Sequence, residues 1–265
     1  MEATHDSDWA QYFLGRILLA LCSVCWMGPF LLAQPSTLQA TEIIDRVDRL
    51  LRGDSSYGVA EMSIVTRRWR RTKTFEIWSE GTERALIRIL NPKKEEGVAT
   101  LRSGSDMWNY LPKIDRTIRI PTSMMMASWM GSHFTNDDLV KESSLIRDYD
   151  VAIMYEGERE GVAVYEFTLT PLPDAPVVWG RLEYQVRKND LMPVWARYYD
   201  EDGELKRTLV FSNFRILGGR LVPTEMRFMP QNKPEEYTQI TYRELEFDIR
   251  LPKDLFSLAA LRKRQ

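Results

Sequence analysis

The sequence predicts a mainly β protein of the α+β class, in which a strongly curved antiparallel sheet carries helices on its concave face. Three observations predict it. About a dozen segments between residues 59 and 247 alternate apolar and polar positions or are rich in β-branched residues. Turn pairs such as Gly218-Gly219 separate them. Two further segments, one early and one mid-chain, favour helix instead, and helices are one way to cover the face of such a sheet.

The first predicted feature is an export signal. Residues 17–33 (ILLALCSVCWMGPFLLA) are apolar, follow Arg16 and are interrupted at Gly28-Pro29. A spanning helix needs roughly 20 apolar residues, so this run is more typical of the core of a secretory signal peptide. We expect residues 1–33 to be that signal, with cleavage as late as residue 40, and residues 34–265 to form one domain in the periplasm. The alternative is an uncleaved inner-membrane anchor.

Composition then excludes several function classes. Both cysteines, Cys22 and Cys25, lie in the predicted signal, so the predicted mature chain has no thiol nucleophile, disulfide or cysteine metal ligand. It has one histidine, His133, which is too few for a histidine metal site. Losing residues 1–33 removes one basic and three acidic side chains from totals of 36 and 38, leaving a neutral protein. We therefore expect no enzyme, no catalytic residues, no cofactor, no metal and no nucleic-acid partner.

The elements follow in a simple order. An amphipathic helix is expected over residues 41–53, with Thr41 as its N-cap and Gly53 just beyond its last turn. A short turn over residues 253–258 ends the chain. Strands are expected over residues 59–66, 72–79, 84–90, 98–102, 107–111, 117–120, 149–156, 162–170, 177–187, 193–200, 205–217, 220–228 and 235–247.

A methionine-rich segment, residues 121–135 (PTSMMMASWMGSHFT), separates the two groups of strands. Methionine is flexible and polarisable, so a methionine cluster makes an apolar surface that reshapes around a guest. We expect this segment and residues 136–139 to be helical. Thr135 or Asn136 would be the cap, and Asp137 and Asp138 would lie in the first turn, where capping explains them better than acid–base chemistry. The alternative is an ordinary core helix filled with methionine.

If helices and sheet meet through Met, Trp and Phe, the gap between them can open to admit an acyl chain. Each buried CH₂ group contributes ~0.8 kcal/mol, so ten of them would hold a lipid without any polar chemistry. Alternation cannot distinguish a cavity wall from ordinary core, and both interpretations stay open. The candidate lipid-binding residues are Met62, Ile64, Phe75, Ile77, Ile87, Ile89, Met124, Met125, Met126, Trp129, Met130, Phe134, Tyr165, Phe167, Leu182 and Tyr184.

The block from Asn91 to Val140 resembles the central block of the outer-membrane lipoprotein-sorting protein family, which is related to the LolA periplasmic carrier. The shared pattern is a Trp-Tyr-Leu-Pro strand, a basic strand, a Met-rich stretch with a glycine, and Thr-Asn-Asp-Asp-Leu. In this chain these are residues 108–112, 116–119, 124–131 and 135–139. The order of signal, helix and long β-meander matches over nearly the whole predicted mature chain.

The resemblance implies an unclosed β-barrel capped by helices, with a hydrophobic cavity for acyl chains. Residues 34–265 would then be a single LolA-like carrier domain that shuttles a lipid or lipoprotein between the inner and outer membranes. Members of this branch accompany RND-type transporters of the MMPL kind, which implies such a transporter as partner. We expect a monomer with transient membrane contact. The alternative is an envelope sensor or interaction module of the same fold, which binds a membrane-protein partner.

One sharp basic cluster, Arg67-Arg68-Trp69-Arg70-Arg71, lies between two predicted strands. The simplest interpretation is a solvated hairpin tip. The functional interpretation is docking to an acidic partner or to anionic lipid head groups, with Trp69 at the interface.

Overall fold

The computed structural model describes residues 37–141, 145–175 and 177–263. They belong to one compact unit, Pro35–Gln265. The predicted signal, residues 1–33, lies outside the described residues and stays a prediction. Over the described ranges, no helix combines the length and the apolar character needed to cross a membrane.

The described residues form one antiparallel sheet of thirteen strands, and each predicted strand is found. The largest differences are four residues each: the first strand begins at Ser55 rather than at residue 59, and residues 177–180 are irregular, so the ninth strand begins at Arg181. The strands are β1 Ser55–Val65, β2 Arg70–Glu80, β3 Arg84–Asn91, β4 Ala99–Ser103, β5 Asp106–Leu111, β6 Arg116–Arg119, β7 Tyr149–Arg159, β8 Val162–Pro171, β9 Arg181–Arg187, β10 Pro193–Tyr199, β11 Leu205–Leu217, β12 Arg220–Pro230 and β13 Tyr237–Phe247.

The strand order is β6-β5-β4-β3-β2-β1-β13-β12-β11-β10-β9-β8-β7. The first strand pairs with the last, with Ser56 opposite Phe247 and Val65 opposite Tyr237. Neighbouring strands elsewhere are consecutive in sequence, so two meanders extend from this central pair. β6 and β7 end the strand order and do not pair with each other, which leaves the barrel unclosed. The predicted fold class is confirmed.

Four helices occur within the described ranges: α1 Thr37–Arg52, α2 Asn136–Lys141, α3 Leu145–Asp148 and α4 Leu258–Arg262. The prediction of Thr41 as the N-cap of α1 was wrong, because the helix begins four residues earlier. Ala40 packs fully buried against the sheet, so tertiary contact extends the helix past the local capping signal. Gly53 has φ +68° and donates its N–H to the Arg49 carbonyl at 2.9 Å, as expected for the residue after a helix.

The described residues 120–141 and 145–148, here called the crossing segment, lie between edge strand β6 and edge strand β7 in the sequence and cover the concave face. The predicted helix through residues 121–135 was wrong. This stretch holds only two single 3₁₀ turns, Thr122–Met124 and Trp129–Gly131. The Asn136 and Asp137 N–H groups donate to the Ala127 and Met125 carbonyls, at 3.0 and 2.8 Å. These hydrogen bonds join residues nine and twelve positions apart, so the chain folds back on itself. In a continuous helix, the Ala127 and Met125 carbonyls would accept from residues four positions further along instead.

The sheet is buried on both faces over β3–β5. On the concave side, α1 and the crossing segment cover the main core. On the outer side, Leu86, Leu101 and Tyr110 pack against Leu261 of α4. The Arg88 guanidinium is buried there as well, 3.3 Å from the Glu76 carboxylate, and it donates to the Ala260 carbonyl at 3.0 Å. The end of the chain therefore closes the outer face through both apolar and ionic contacts.

Replacing Glu76 with Ala should lower the free energy of unfolding by about 3–5 kcal/mol, because it leaves the Arg88 charge buried without this partner. Denaturant unfolding measures the change. The control is Glu42→Ala, which removes the partner of Arg46 in an exposed pair on α1 and should change stability by less than about 1 kcal/mol. Equal effects of the two substitutions would contradict this account of the outer face.

Candidate functional site

An apolar cavity of about 310 Å³ lies between the concave face and the elements that cover it. This volume lies at the lower end of the range typical of ligand sites, roughly 300–1,000 Å³. Helix α1 contributes Ile44, Val47 and Leu51 to its wall, and their spacing of three and four residues puts them on one helix face. The floor comes from both meanders, including Ile77, Ile87, Leu209, Phe211, Met226 and Ile240.

The predicted lipid-binding residues fall into two groups: those that line the cavity and those that lie away from its wall. All ten strand positions that alternation selected belong to or pack against the main core on the concave side. The predicted residues that line the cavity are Phe75, Ile77, Ile87, Trp129, Phe134, Leu182 and Tyr184. The others lie away from its wall: Met62, Ile64, Ile89, Tyr165 and Phe167 in or against packed core, and Met124, Met125, Met126 and Met130 in the crossing segment.

The methionines of the crossing segment do not cover the cavity as a thioether surface. Met124 and Met126 are 49% and 50% exposed, whereas Met130 packs partly buried against the core. Met130 adopts φ +54°, an uncommon value for a residue with a side chain. Its carbonyl accepts a hydrogen bond from the Lys73 ammonium at 3.1 Å, and Lys73 also lies 2.5 Å from Glu95. Here the segment is held by its backbone.

Trp129 and Phe134 are the two apolar side chains of the crossing segment that belong to the buried core itself. The Trp129 ring meets Phe75 edge-on at 6.2 Å between centroids, and its Nε1–H donates to the Thr100 hydroxyl at 3.2 Å. The Phe134 ring lies 4.0 Å from that of Phe228. Both side chains are almost completely buried. They anchor the segment and form part of the cavity wall at the same time.

The strongest polar anchor of the segment is an ion pair between Asp138 and Arg207 of β11. Both groups are buried, and the Arg207 Nη1 donates to Asp138 at 2.7 Å while Nη2 donates to the second carboxylate oxygen. The guanidinium carbon lies 4.2 Å from the Tyr198 ring centroid and 4.5 Å from that of Trp179. A planar, weakly hydrated cation suits such an aromatic site.

Asp138 also caps α2. Its carboxylate accepts from the Thr135 N–H at 2.7 Å, and the Thr135 hydroxyl accepts from the Asp138 N–H at 3.1 Å. This is the reciprocal arrangement of a capping box. The predicted cap is therefore present at Thr135, but sequence reasoning missed Arg207. Thr-x-x-Asp spacing indicates the cap, whereas no local signal indicates a partner 69 positions away.

One end of the cavity is polar. Asp48 and Arg52 of α1, Ser56 of β1, Ser79 of β2 and Arg102 of β4 line it. The Arg52 Nη2 lies 2.7 Å from the Asp48 carboxylate, and the two serine hydroxyls are hydrogen-bonded at 2.6 Å. Sequence reasoning missed this end, because these residues are scattered over four elements.

Arg102 is the buried cation of this polar end. It donates to the Leu139 carbonyl at 2.9 Å, to the Gly104 carbonyl at 3.3 Å and to the Thr82 carbonyl. Burial lowers the pKa of Arg102 to about 10, and the positive charge of Arg52 acts in the same direction. The side chain still carries its charge at neutral pH. It links the end of α2 to the β2–β3 turn.

The basic cluster forms an exposed hairpin tip between β1 and β2, as the simplest interpretation predicts. Arg67, Arg68, Arg70 and Arg71 are exposed, and Trp69 is 36% exposed with the Arg71 guanidinium 4.6 Å from its ring centroid. Docking through this tip stays a prediction.

The tip is joined to the crossing segment through Glu236. The Arg67 N–H donates to this carboxylate at 3.4 Å, and the His133 Nε2 lies 3.4 Å from it. His133 Nδ1 also contacts the Thr238 hydroxyl at 2.8 Å. Over the described part of the chain, no group of three or more His, Cys, Asp or Glu residues could hold a metal ion.

Three solved structures have this arrangement of sheet and helices. A DUF1329 family protein from Desulfovibrio piger is 27% identical, with a TM-score of 0.77 over 85% of this chain and 98% of that one. An outer membrane lipoprotein-sorting protein domain from Vibrio parahaemolyticus is 21% identical, with a TM-score of 0.75 over 86% and 100%. A LolA superfamily protein from Nitrosomonas europaea is 21% identical, with a TM-score of 0.71 over 83% and 98%.

These likenesses show the fold, which is also that of the LolA superfamily protein and of the outer membrane lipoprotein-sorting domain. At the level of fold, the resemblance seen in residues 91–140 is confirmed. No curated protein matches the sequence. A family model with the description "Uncharacterized protein" matches residues 81–263, more than half of the chain. The chain belongs to that family.

Replacing Asp138 with Ala should loosen the crossing segment, because it removes the carboxylate that accepts the Thr135 N–H and is the buried partner of Arg207. Hydrogen exchange followed by mass spectrometry should show at least tenfold faster exchange of amides in residues 127–139. The control is Asp106→Ala, which breaks an exposed pair with Arg119 and should leave those amides unchanged. Unchanged exchange in Asp138→Ala would show that other contacts hold the segment.

Proposed function

We propose that this protein is a non-enzymatic periplasmic carrier that binds the acyl chains of a lipid or lipoprotein in the cavity between the sheet and the crossing segment. The observation that carries the proposal is an apolar cavity whose cover is held by two buried aromatic side chains and by polar bonds at separate points. The names of the lipoprotein-sorting and LolA superfamily neighbours support the same class of cargo. The apolar run at residues 17–33 supports export to the periplasm.

The way the cover is attached suits reversible loading. Lys73, Arg102 and Arg207 bind the crossing segment at Met130, Leu139 and Asp138. Water can replace the partners of such bonds, so each typically contributes only about 0.5–3 kcal/mol net. The larger loss on opening would be exposure of the Trp129 and Phe134 side chains. An acyl chain that enters beneath them restores their apolar contacts, which lowers the free energy of the open form.

The shuttle needs a donor and an acceptor. We propose that an inner-membrane transporter of the RND/MMPL type delivers the cargo, that the protein carries it as a monomer, and that contact with each membrane is transient. The exposed tip, Arg67–Arg71, is the surface proposed for that contact. Its arginines attract anionic head groups, and a partly exposed tryptophan favours the interfacial region of a bilayer.

Filling the cavity should abolish acyl binding without unfolding the protein. Ile77 lines the cavity and is only partly buried, so Ile77→Trp would project the larger ring into empty space. We expect the amount of lipid that copurifies, measured by native mass spectrometry, to fall at least tenfold. The free energy of unfolding should stay the same or rise by about 0.5–2 kcal/mol, as in other cavity-filling changes.

The matched control is Ile216→Trp on β11, where the side chain is 73% exposed. This variant should keep the lipid load of the wild type. Full lipid load in Ile77→Trp would contradict the proposal. A wild-type protein that carries no lipid but binds one defined membrane protein would instead support the alternative of an envelope sensor or interaction module.

Neutralising the tip should weaken membrane contact. Each arginine near an anionic surface contributes about 1 kcal/mol, so Arg67→Gln with Arg68→Gln should reduce binding to vesicles containing phosphatidylglycerol by about 30-fold. Cosedimentation with the vesicles at low salt measures the bound fraction. Arg46→Gln with Arg49→Gln, on the exposed side of α1, is the control and should bind as the wild type does. Equal losses in both double variants would indicate a response to net charge alone.

A further inference from the structure

Two further connections lie beside the exposed tip at the same end of the sheet. Consecutive antiparallel strands turn alternately at its two ends, so the tip shares its end with the β3–β4 loop (residues 92–98) and the β5–β6 turn (residues 112–115). Lys73 of β2 lies 2.5 Å from Glu95 of the loop, and a Cβ on Gly97 would lie 3.5 Å from the Pro112 Cγ of the turn. The three connections are therefore contiguous. Residues 67–71, 92–98 and 112–116 are here called the basic rim.

The basic rim carries an excess of positive charge. Each of its three acidic side chains has a partner: Glu95 with Lys73, Glu96 with Lys93 and Asp115 with Tyr110. The neighbouring β12–β13 loop adds two acids, each with a cation 3.5 Å away: Glu235 with Arg67 and Glu236 with Lys233. Among the described residues, six basic side chains of the rim are exposed and form no ion pair: Arg68, Arg70, Arg71, Lys94, Lys113 and Arg116. An anionic surface is the partner that such an excess fits.

The β5–β6 turn also presents an apolar side chain to solvent. Ile114 is 62% exposed, and Lys113 and Arg116 lie on either side of it in the sequence. The Tyr110 hydroxyl donates to the Asp115 carboxylate at 2.8 Å, which holds the turn in place. An exposed isoleucine flanked by cations suits the boundary between lipid head groups and acyl chains, because the apolar side chain is buried there while the cations stay at the phosphates.

The basic rim lies next to the cover of the cavity. The Lys73 ammonium that contacts Glu95 also donates to the Met130 carbonyl of the crossing segment at 3.1 Å. At the same end of the other meander, residues 200–204 (DEDGE) contain four carboxylates, and Lys206 pairs with two of them. An anionic surface attracts the side with the rim and repels the acidic side. This orientation puts the Lys73 attachment of the crossing segment on the membrane side.

We propose that the β5–β6 turn is a second point of membrane contact, at which Ile114 enters an anionic bilayer while Lys113 and Arg116 bind lipid phosphates. The inference rests on the proposed function, since it adds to the contact made by the tip. Three strand spacings, roughly 15 Å, separate β2 from β5. Two contacts at this separation fix the orientation of the protein on the membrane, which a single contact cannot do.

Vesicle binding by the full chain tests the turn. Ile114→Ser removes the apolar side chain without changing the charge. It should weaken binding to vesicles of equal parts phosphatidylglycerol and phosphatidylcholine about tenfold, because a large apolar side chain loses its burial in the bilayer. The matched control is Ile216→Ser, since Ile216 is 73% exposed near the end of β11 that lies away from the rim. This control should bind as the wild type does, and cosedimentation measures both variants.

Fluorescence quenching measures the insertion itself. Bromine on the acyl chains of phosphatidylglycerol quenches only those indole rings that reach the acyl region. Ile114→Trp should therefore lose more fluorescence than the wild type when it binds vesicles of this lipid. Ile216→Trp adds a tryptophan at the other end of the sheet and should lose no more than the wild type.

The outcomes separate this inference from the proposed function. Equal vesicle binding by Ile114→Ser and the wild type, or equal quenching in the two tryptophan variants, would overturn the second contact and leave the tip and the carrier standing. Loss of binding to an acyl probe in Ile114→Ser would overturn it too, because the turn would then act on the cavity. A wild type that binds vesicles through Ile114 but takes up no acyl probe would contradict the carrier alone.

Discussion

The path of the chain between the two edge strands constrains the rest of this structure. β6 and β7 lie at opposite ends of the strand order, and residues 120–148 must connect them. A connection that crosses the concave face has to cover apolar side chains and also satisfy its own backbone groups. The crossing segment does both: it doubles back through internal hydrogen bonds and inserts Trp129 and Phe134 between the strands. The cavity is the space that this loop and α1 leave unfilled.

This arrangement explains why the cover is bound by charged and polar groups rather than by a large apolar surface. The segment holds only short turns and helices, and Trp129 and Phe134 are its two almost completely buried apolar side chains. Met130, Leu139 and Leu145 pack partly buried against the core. Cations of the sheet supply the remaining attachment at three separated points, Lys73, Arg102 and Arg207. Buried ion pairs specify geometry more than they add stability, because desolvation offsets much of their attraction. The crossing segment is therefore positioned well without being bound tightly.

Much of the fold could be predicted from the sequence, because one buried face imposes alternation on each strand. That rule placed Phe75 and Ile77, and Leu182 and Tyr184, on the concave side. It could not tell which of them border empty space, since alternation gives the direction of a side chain but not what fills the space around it. Strand β3 is buried on both faces. The cover of its outer face, α4, is only five residues long and left no strong periodic signal.

The candidate site was harder to predict than the sheet. The composition of the methionine cluster predicted a helix that covers the cavity. Pro121 and Gly131 break that helix, and Met124 and Met126 are half exposed. The groups that fasten the cover and line the polar end come from distant parts of the chain. One sequence contains no information on which arginine meets which acid over such separations. Arg207 and Arg102 consequently become visible only in three dimensions.

Pairing of the first strand with the last also sets when this protein can fold. Glu61 of β1 and Arg243 of β13 meet across 182 positions of sequence. The free edge of β1 therefore stays without its partner until nearly the whole chain has been made. Contacts of such long range close slowly, and unpaired strand edges promote aggregation in the meantime. Delivery of the polypeptide in an unfolded state, followed by assembly in a single late step, is the biogenesis that this topology favours.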